Sequence, residues 1–175
     1  MTNAIPIELR PVVVEDAAFI LELINTEDWI HFIGDRGVKT LSDAEDYITN
    51  RMLPQFLRLG HGNEVILHKE TGTPMGTIGL FFRKEEDTIP DIGFSLLPAF
   101  YRKGIGYRAG KIILEKAFTQ YGLEAVTAFT THDNIASQKL IEKLGLKYLY
   151  DEALPEDPLP LMKYEILSSD WKSDT

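Results

Sequence analysis

The stretch "LLPAFYRKGIGYRAGKIILEKAF", residues 96–118, constrains the chain more than any other. An apolar run stops at Pro98, a basic turn follows, and Gly104 and Gly106 stand at the mouth of a helical pattern. Backbone N–H groups at a helix start are unpaired and carry the positive end of the helix dipole. Glycine lets an anion approach them with no Cβ in the way. "KGIGYR" therefore reads as a cradle for a diphosphate, with Arg102, Lys103 and Arg108 adding charge. The same residues would also make a tight turn with solvated basic side chains, and the turn alone does not choose.

The rest of the chain supplies the elements around that turn. "IELRPVV" (7–13) reads as a strand, and Ala17, Ile20, Leu21 and Ile24 repeat at helical spacing over 15–24. Residues 26–38 show no clean period and are expected to be irregular or a short helical turn. Ser42 with Glu45 predicts a capping box opening a helix, which Pro54 should kink or end. "EVILHK" (64–69), "MGTIGLFFR" (75–83) and "TIPDIGFSLL" (88–97) read as an antiparallel meander. After the glycine turn come a helix capped by Gly122, a strand over 124–131, a helix over 134–144 closed by Gly145, and two final strands. The expected order is β-α-α-β-β-β-α-β-α-β-β. This is an α+β chain with a mixed, mostly antiparallel sheet and helices on both faces.

Composition narrows the chemistry. The chain has 175 residues, 44% of them apolar, enough for one globular domain over 1–175 with its core at about 7–167. It has no cysteine, which excludes disulfides, thiolate metal sites and cysteine nucleophiles. His31, His61, His68 and His132 show no ligand spacing, so no metal is expected. The net charge of −9 argues against nucleic acid, because phosphate binding needs a basic surface. Against that background the basic group Arg102, Lys103, Arg108 and Lys111 points to a small anionic ligand. No apolar run approaches the ~18 residues of a membrane span, and "MTNAIPIELR" lacks the regions of a signal peptide, so a cytoplasmic protein off the membrane is expected.

Residues 104–109 formally match G-x-G-x-x-A, the dinucleotide fingerprint. That fingerprint belongs to an early βαβ unit, whereas these glycines follow a meander past the middle of the chain. A second pattern is more specific. "IGFSLLPAFYRKGIGYRAGKIILEKAF" and "VTAFTTHDNIASQKLIEKLGL" together resemble the GCN5-related N-acetyltransferase (GNAT) superfamily, in the branch of ribosomal-protein N-terminal and small-amine acetyltransferases. The shared features are the strand ending in Pro98, the turn (Q/R)-x-x-G-x-(G/A), and N-x-x-S-x-x-x-x-x-K-L-G-(F/L). Tyr101 departs from the turn motif, standing where Gln or Arg is usual.

The resemblance implies the GNAT fold, with strands 4 and 5 splayed, and acetyl-CoA as co-substrate. The pantetheine arm would lie along the backbone of Leu96 and Leu97 like an added strand. An N–H near Leu96 would face the thioester oxygen. The amides of Arg102, Lys103, Gly104, Ile105, Gly106 and Tyr107 would wrap the diphosphate. Asn134 would reach the pantetheine amide, or serve only as a helix N-cap.

Acetyl transfer to an amine needs a base, an oxyanion donor and a proton for the leaving thiolate. Many members carry a tyrosine acid in the last helix. Ile141 stands there, and Ser137 is the replacement the resemblance offers, unless it is an ordinary first-turn residue. Asp91 is the candidate base, with a solvated strand-end carboxylate or a water relay as alternatives. Trp29, Phe32, Asp35 and Arg36 are candidates for the acceptor wall, although core packing would account for the two aromatics as well. The expected partner is a small-molecule or peptide amine, and the chain a monomer or homodimer. A non-catalytic acyl-CoA-binding module is the competing expectation.

Overall fold

Strand-forming and helix-forming runs alternate along the chain largely as the periodicity predicts. The computed structural model describes residues 4–173. The strands are β1 (Ile7–Pro11), β2 (Asn63–His68), β3 (Pro74–Phe81), β4 (Asp91–Leu96), β5 (Ala125–Thr130), β6 (Lys147–Glu152) and β7 (Leu161–Leu167). They form a mixed seven-stranded sheet in the order β1-β2-β3-β4-β5-β7-β6. The chain divides into two compact units, Met1–Gly79 with Phe94–Ala109, and Leu80–Gly93 with Gly110–Thr175.

In the first unit β1 pairs antiparallel with β2, and β2 with β3. A core of Val12, Ile20, Leu23, Ile48, Val65 and Leu97 gathers α1 (Ala17–Ile24) and α3 (Leu41–Tyr47) with these strands. One expectation, the capping box, is corrected here, and two open ones are made specific. Residues 26–38 contain a regular helix, α2 (Glu27–Phe32), because Thr26 accepts the Trp29 N–H and two acids complement the first turn. The capping box of α3 is Thr40 with Asp43, not Ser42 with Glu45. The Thr40 hydroxyl accepts the Asp43 N–H at 3.1 Å, and the Asp43 carboxylate accepts the Thr40 and Lys39 N–H groups at 2.9 and 3.0 Å. Asp43 thus satisfies one more donor than an ordinary box and moves the helix start upstream. Pro54 lies in the first turn of α4 (Leu53–Leu59), and a π turn over Ile48–Met52 joins it to α3. Proline lacks the N–H that would continue α3, and the widened turn absorbs the break.

Close backbone approach explains Gly76 on β3. A Cβ there would meet the Ser95 carbonyl oxygen at 2.2 Å, so the neighbouring strand leaves room for no side chain.

In the second unit β5 pairs antiparallel with β7, and β7 with β6. α5 (Ile105–Thr119) and α6 (Ile135–Lys143) approach closely at Gly110, where a Cβ would lie 2.7 Å from the Leu144 side chain. Val126, Ala128, Tyr164 and Ile166 are buried with Ile113, Leu114 and Ile141. Trp171 closes the chain over α5, donating to Glu115 at 2.8 Å and stacking beneath Lys111 at 4.4 Å.

Candidate functional site

The turn before α5 has an uncommon backbone. Arg102 and Gly104 both take left-handed conformations, at φ +58° and +70°, with Lys103 between them outside that region. Alternating handedness of this kind cups successive N–H groups toward one point, as in anion-binding nests. Left-handed backbone, not crowding, requires glycine at 104, since a Cβ there would meet nothing within 4 Å. The N–H groups of Arg102 through Gly106 lie before or within the first turn of α5 and donate to no protein acceptor among the described residues.

The basic side chains divide. Arg102 and Lys103 are exposed, with the Lys103 ammonium 5.7 Å from the Phe100 ring. Arg108 turns back, donating to the carbonyls of Gly104 and Ile5 and so bracing the turn. Lys111 is committed to Trp171. Of the basic group in the sequence, Arg102 and Lys103 remain at the turn.

The strand leading into this turn presents one edge outward. The Leu97 N–H donates to Met75 at 2.8 Å, and the Leu97 carbonyl accepts the Phe100 N–H at 2.9 Å. N–H and C=O groups alternate sides along a strand, so those of Leu96 face away from β3. The Pro90 carbonyl faces that way too, accepting the Thr127 N–H at 3.0 Å. The parallel pairing of β4 to β5 has the single register Asp91 with Thr127, whereas β5 and β7 pair over six positions. Leu96 is therefore the better placed of the two residues expected to meet the ligand backbone.

At the start of α6 the Asn134 side-chain oxygen accepts the Ser137 N–H at 3.2 Å, which is the N-cap. The cap uses the oxygen and leaves the Asn134 amide nitrogen as a donor, so capping and ligand contact are compatible. Ser137 is half-buried, and Ile141 on the same helix is buried at 1% exposure.

Asp91 is not a solvated strand end. Its side chain is 14% exposed and pairs with Arg83 at 3.2 Å. Burial pushes its carboxyl above the ordinary carboxylate range, and Arg83 only partly offsets this. The folded protein thus binds the Asp91 proton more tightly than the unfolded chain does. Its contribution to stability is full below the ordinary carboxylate pKa and is lost as pH rises through the raised folded value. Chemical denaturation across the acid range should show wild type losing stability relative to Asp91→Asn as pH rises. The opposite slope would show that Arg83 dominates the site.

The acceptor candidates sit on and after α2. Trp29 packs partly against the first unit's core, and Phe32 stacks edge-on to His31 at 4.6 Å. Asp35 accepts the Gly37 N–H at 2.8 Å and the Lys39 ammonium at 3.1 Å, while Arg36 is exposed. Tyr101 lies near this helix, its hydroxyl pushed up to about 12 by burial and a hydrogen bond to Asp28. A cavity of about 630 Å³ is lined by Glu27, Asp28, Ile30 and His31.

One group escaped the sequence reading. Arg83 lies over the Phe129 ring at 4.6 Å, and Lys163 lies 5.6 Å from the same ring. The alternation in "LMKYEIL" could have flagged Lys163 as a charge on a half-buried strand, but not its partners.

A seven-stranded mixed sheet with β4 and β5 paired at one register, followed by a helix that opens on amides without an acceptor among the described residues, is here the frame of an acetyltransferase. The model described as "Acetyltransferase (GNAT) domain" matches residues 7–147, and the chain belongs to that family. The chain is 25% identical over 158 residues to the uncharacterized N-acetyltransferase YoaA of Bacillus subtilis, covering 85% of this chain and 88% of YoaA. It shares its fold with the ribosomal-protein-S5-alanine acetyltransferase of Vibrio fischeri, at 18% identity and TM-score 0.77 over 95% of each chain. The spermidine N-acetyltransferase of Vibrio cholerae, solved with CoA and spermine, matches at 15% identity and TM-score 0.77, covering 94% of this chain and 96% of its own. Among the described residues no acid–histidine cluster could hold a metal, and no helix is long and apolar enough to cross a membrane.

Proposed function

We propose that this acetyltransferase moves the acetyl group of acetyl-CoA directly to a primary amine within a ternary complex. The observation that carries the reading is the turn at 102–106, whose bare N–H groups and two left-handed residues suit a diphosphate. Arg102 and Lys103 add charge to it, and Arg108 holds its shape. The outward-facing Leu96 N–H serves as donor to the carbonyl oxygen of the thioester as charge develops there. The Asn134 amide nitrogen donates to the ligand's own amide. Asp91 accepts the proton the amine must lose, a task that suits a carboxyl whose pKa is raised toward neutrality. The Ser137 hydroxyl passes a proton to the thiolate and takes one from solvent water in return. Trp29 and Phe32 stand on the acceptor side.

No covalent enzyme intermediate is needed, and the chain offers no thiol to form one. Initial-rate kinetics should give intersecting double-reciprocal lines. Parallel lines, or an acetylated enzyme trapped for mass spectrometry, would refute direct transfer.

A further inference from the structure

We propose that β6 is a dimerisation edge, pairing antiparallel with β6 of a second copy of this chain across a two-fold axis. β6 ends the sheet and bonds only to β7, so its outer row of N–H and C=O groups has no partner among the described residues. An open edge of this kind is a template for another strand. The strand carries no proline to blunt it, and Lys147 through Asp151 are all exposed. Tyr148, Leu149 and Tyr150, at 49%, 43% and 50% exposure, set three neighbouring apolar side chains on that edge.

The pattern of residues identifies the occupant. The register with β7 runs Lys147–Glu165, Tyr148–Tyr164, Tyr150–Lys163, Asp151–Met162 and Glu152–Leu161, so Leu149 is a bulge. Lys147, Tyr150 and Glu152 therefore stand on one face of the sheet, and Tyr148 and Asp151 on the other. In an antiparallel pair the two kinds of ladder position alternate, so a two-fold axis must pass through a residue that faces itself. Centring the axis on Lys147, Asp151 or Glu152 sets like charges together, which is destabilising. Centring it on Tyr148 pairs only three positions. Centring it on Tyr150 pairs all five. Lys147 then meets the partner's Glu152, Tyr148 meets the partner's Asp151, and Tyr150 meets the partner's Tyr150. Each pair falls on a common face, and both Lys–Glu pairs are of opposite sign. Without its bulge the strand is its own complement. Lys147 makes no ion pair among the described residues, although Glu165 stands opposite. Glu152 meets Lys163 through Oε2 at 3.2 Å, which leaves Oε1 for a second cation. Tyr150 shares its face with Lys163 and Phe129, so the axis would join these faces of the two copies into one surface.

The test is the mass of the full chain in solution, by light scattering after size exclusion at about 0.1 mM. Wild type should have twice the chain's 19.8 kDa. Lys147→Glu and Glu152→Lys each replace two attractive pairs by two repulsive ones. Each should raise the dissociation constant about tenfold or more and leave the chain largely monomeric. Mixed in equal amounts, the two variants should form a heterodimer, because each supplies the charge the other lacks. Labelling one of them with heavy nitrogen lets native mass spectrometry resolve that species. Glu152→Lys also disturbs Lys163, so Tyr150→Asp is an independent variant. It keeps a counter-ion beside Lys163, sets two carboxylates across the axis and should be monomeric. Hydrogen exchange over 147–152 should be slower in wild type than in Lys147→Glu, which association through another surface would not produce. Circular dichroism establishes that each variant is folded. A monomeric wild type, or a dimer that survives both Lys147→Glu and Tyr150→Asp, overturns the proposal. So do folded single variants that form no heterodimer, and equal exchange in the strand.

Discussion

Gly106→Glu should lose coenzyme A affinity by roughly two orders of magnitude or more in a calorimetric titration. Gly106 is buried in the first turn of α5, and its N–H is among those that donate to no acceptor among the described residues. A glutamate there adds a side chain beside the amides that would hold the diphosphate, and it sets a negative charge against two phosphates. Losing two charge-assisted hydrogen bonds, each worth about 1.5–3 kcal/mol, gives a loss of this size before repulsion is counted. Gly104→Val separates shape from approach. A valine at φ +70° is strained although nothing crowds it, so that variant should bind weakly because the turn no longer cups. Circular dichroism distinguishes either result from misfolding. Wild-type affinity in Gly106→Glu would remove the turn from the binding site, and tighter binding of a nicotinamide dinucleotide would revive the G-x-G-x-x-A reading.

The glycine turn was legible because its signal is local. Strand end, basic residues, two glycines and helix period occupy one short stretch, and caps such as Asn134 and Gly145 act within a turn of themselves. The same locality misled at α3, where Thr40/Asp43 and Ser42/Glu45 both satisfy the capping pattern. The extra bond from the Lys39 N–H to Asp43 distinguishes them, and no spacing rule encodes it. α2 was legible only as one of two alternatives because six residues are too few for an apolar period, although Thr26 and the two acids after it were a readable start signal. The Arg83–Phe129–Lys163 group lay out of reach for a different reason. Its members come from a loop after β3, from β5 and from β7, and only the pairing register brings them onto one face. The candidate base shows the same limit. Asp91 could be placed on β4, but its pairing with Arg83 and its raised pKa are properties of burial.

Ser137→Ala should lower kcat strongly while the affinity for acetyl-CoA changes little. Asn134 fixes the start of α6, and its side-chain oxygen holds the Ser137 N–H at 3.2 Å, so Ser137 sits rigidly at the cap. Its hydroxyl engages no protein partner among the described residues and remains available as a donor. Ile141, the next position along that stripe, is 1% exposed, carries no proton to give and belongs to the core. If Ser137 meets the departing thiolate, removing its hydroxyl removes a general acid, a loss of about 10²–10⁴-fold in rate. If it is only a first-turn residue, alanine is at least as good a helix former and turnover should be nearly unchanged. The cap discriminates further, because Asn134→Ala would weaken both the helix start and ligand binding, whereas Ser137→Ala keeps the N–H that Asn134 accepts. Its effect should therefore appear in kcat and leave KM for acetyl-CoA and Tm close to wild type. A kcat within about twofold of wild type, well below the range for a lost general acid, would assign the proton to water and leave Ser137 a structural residue of α6.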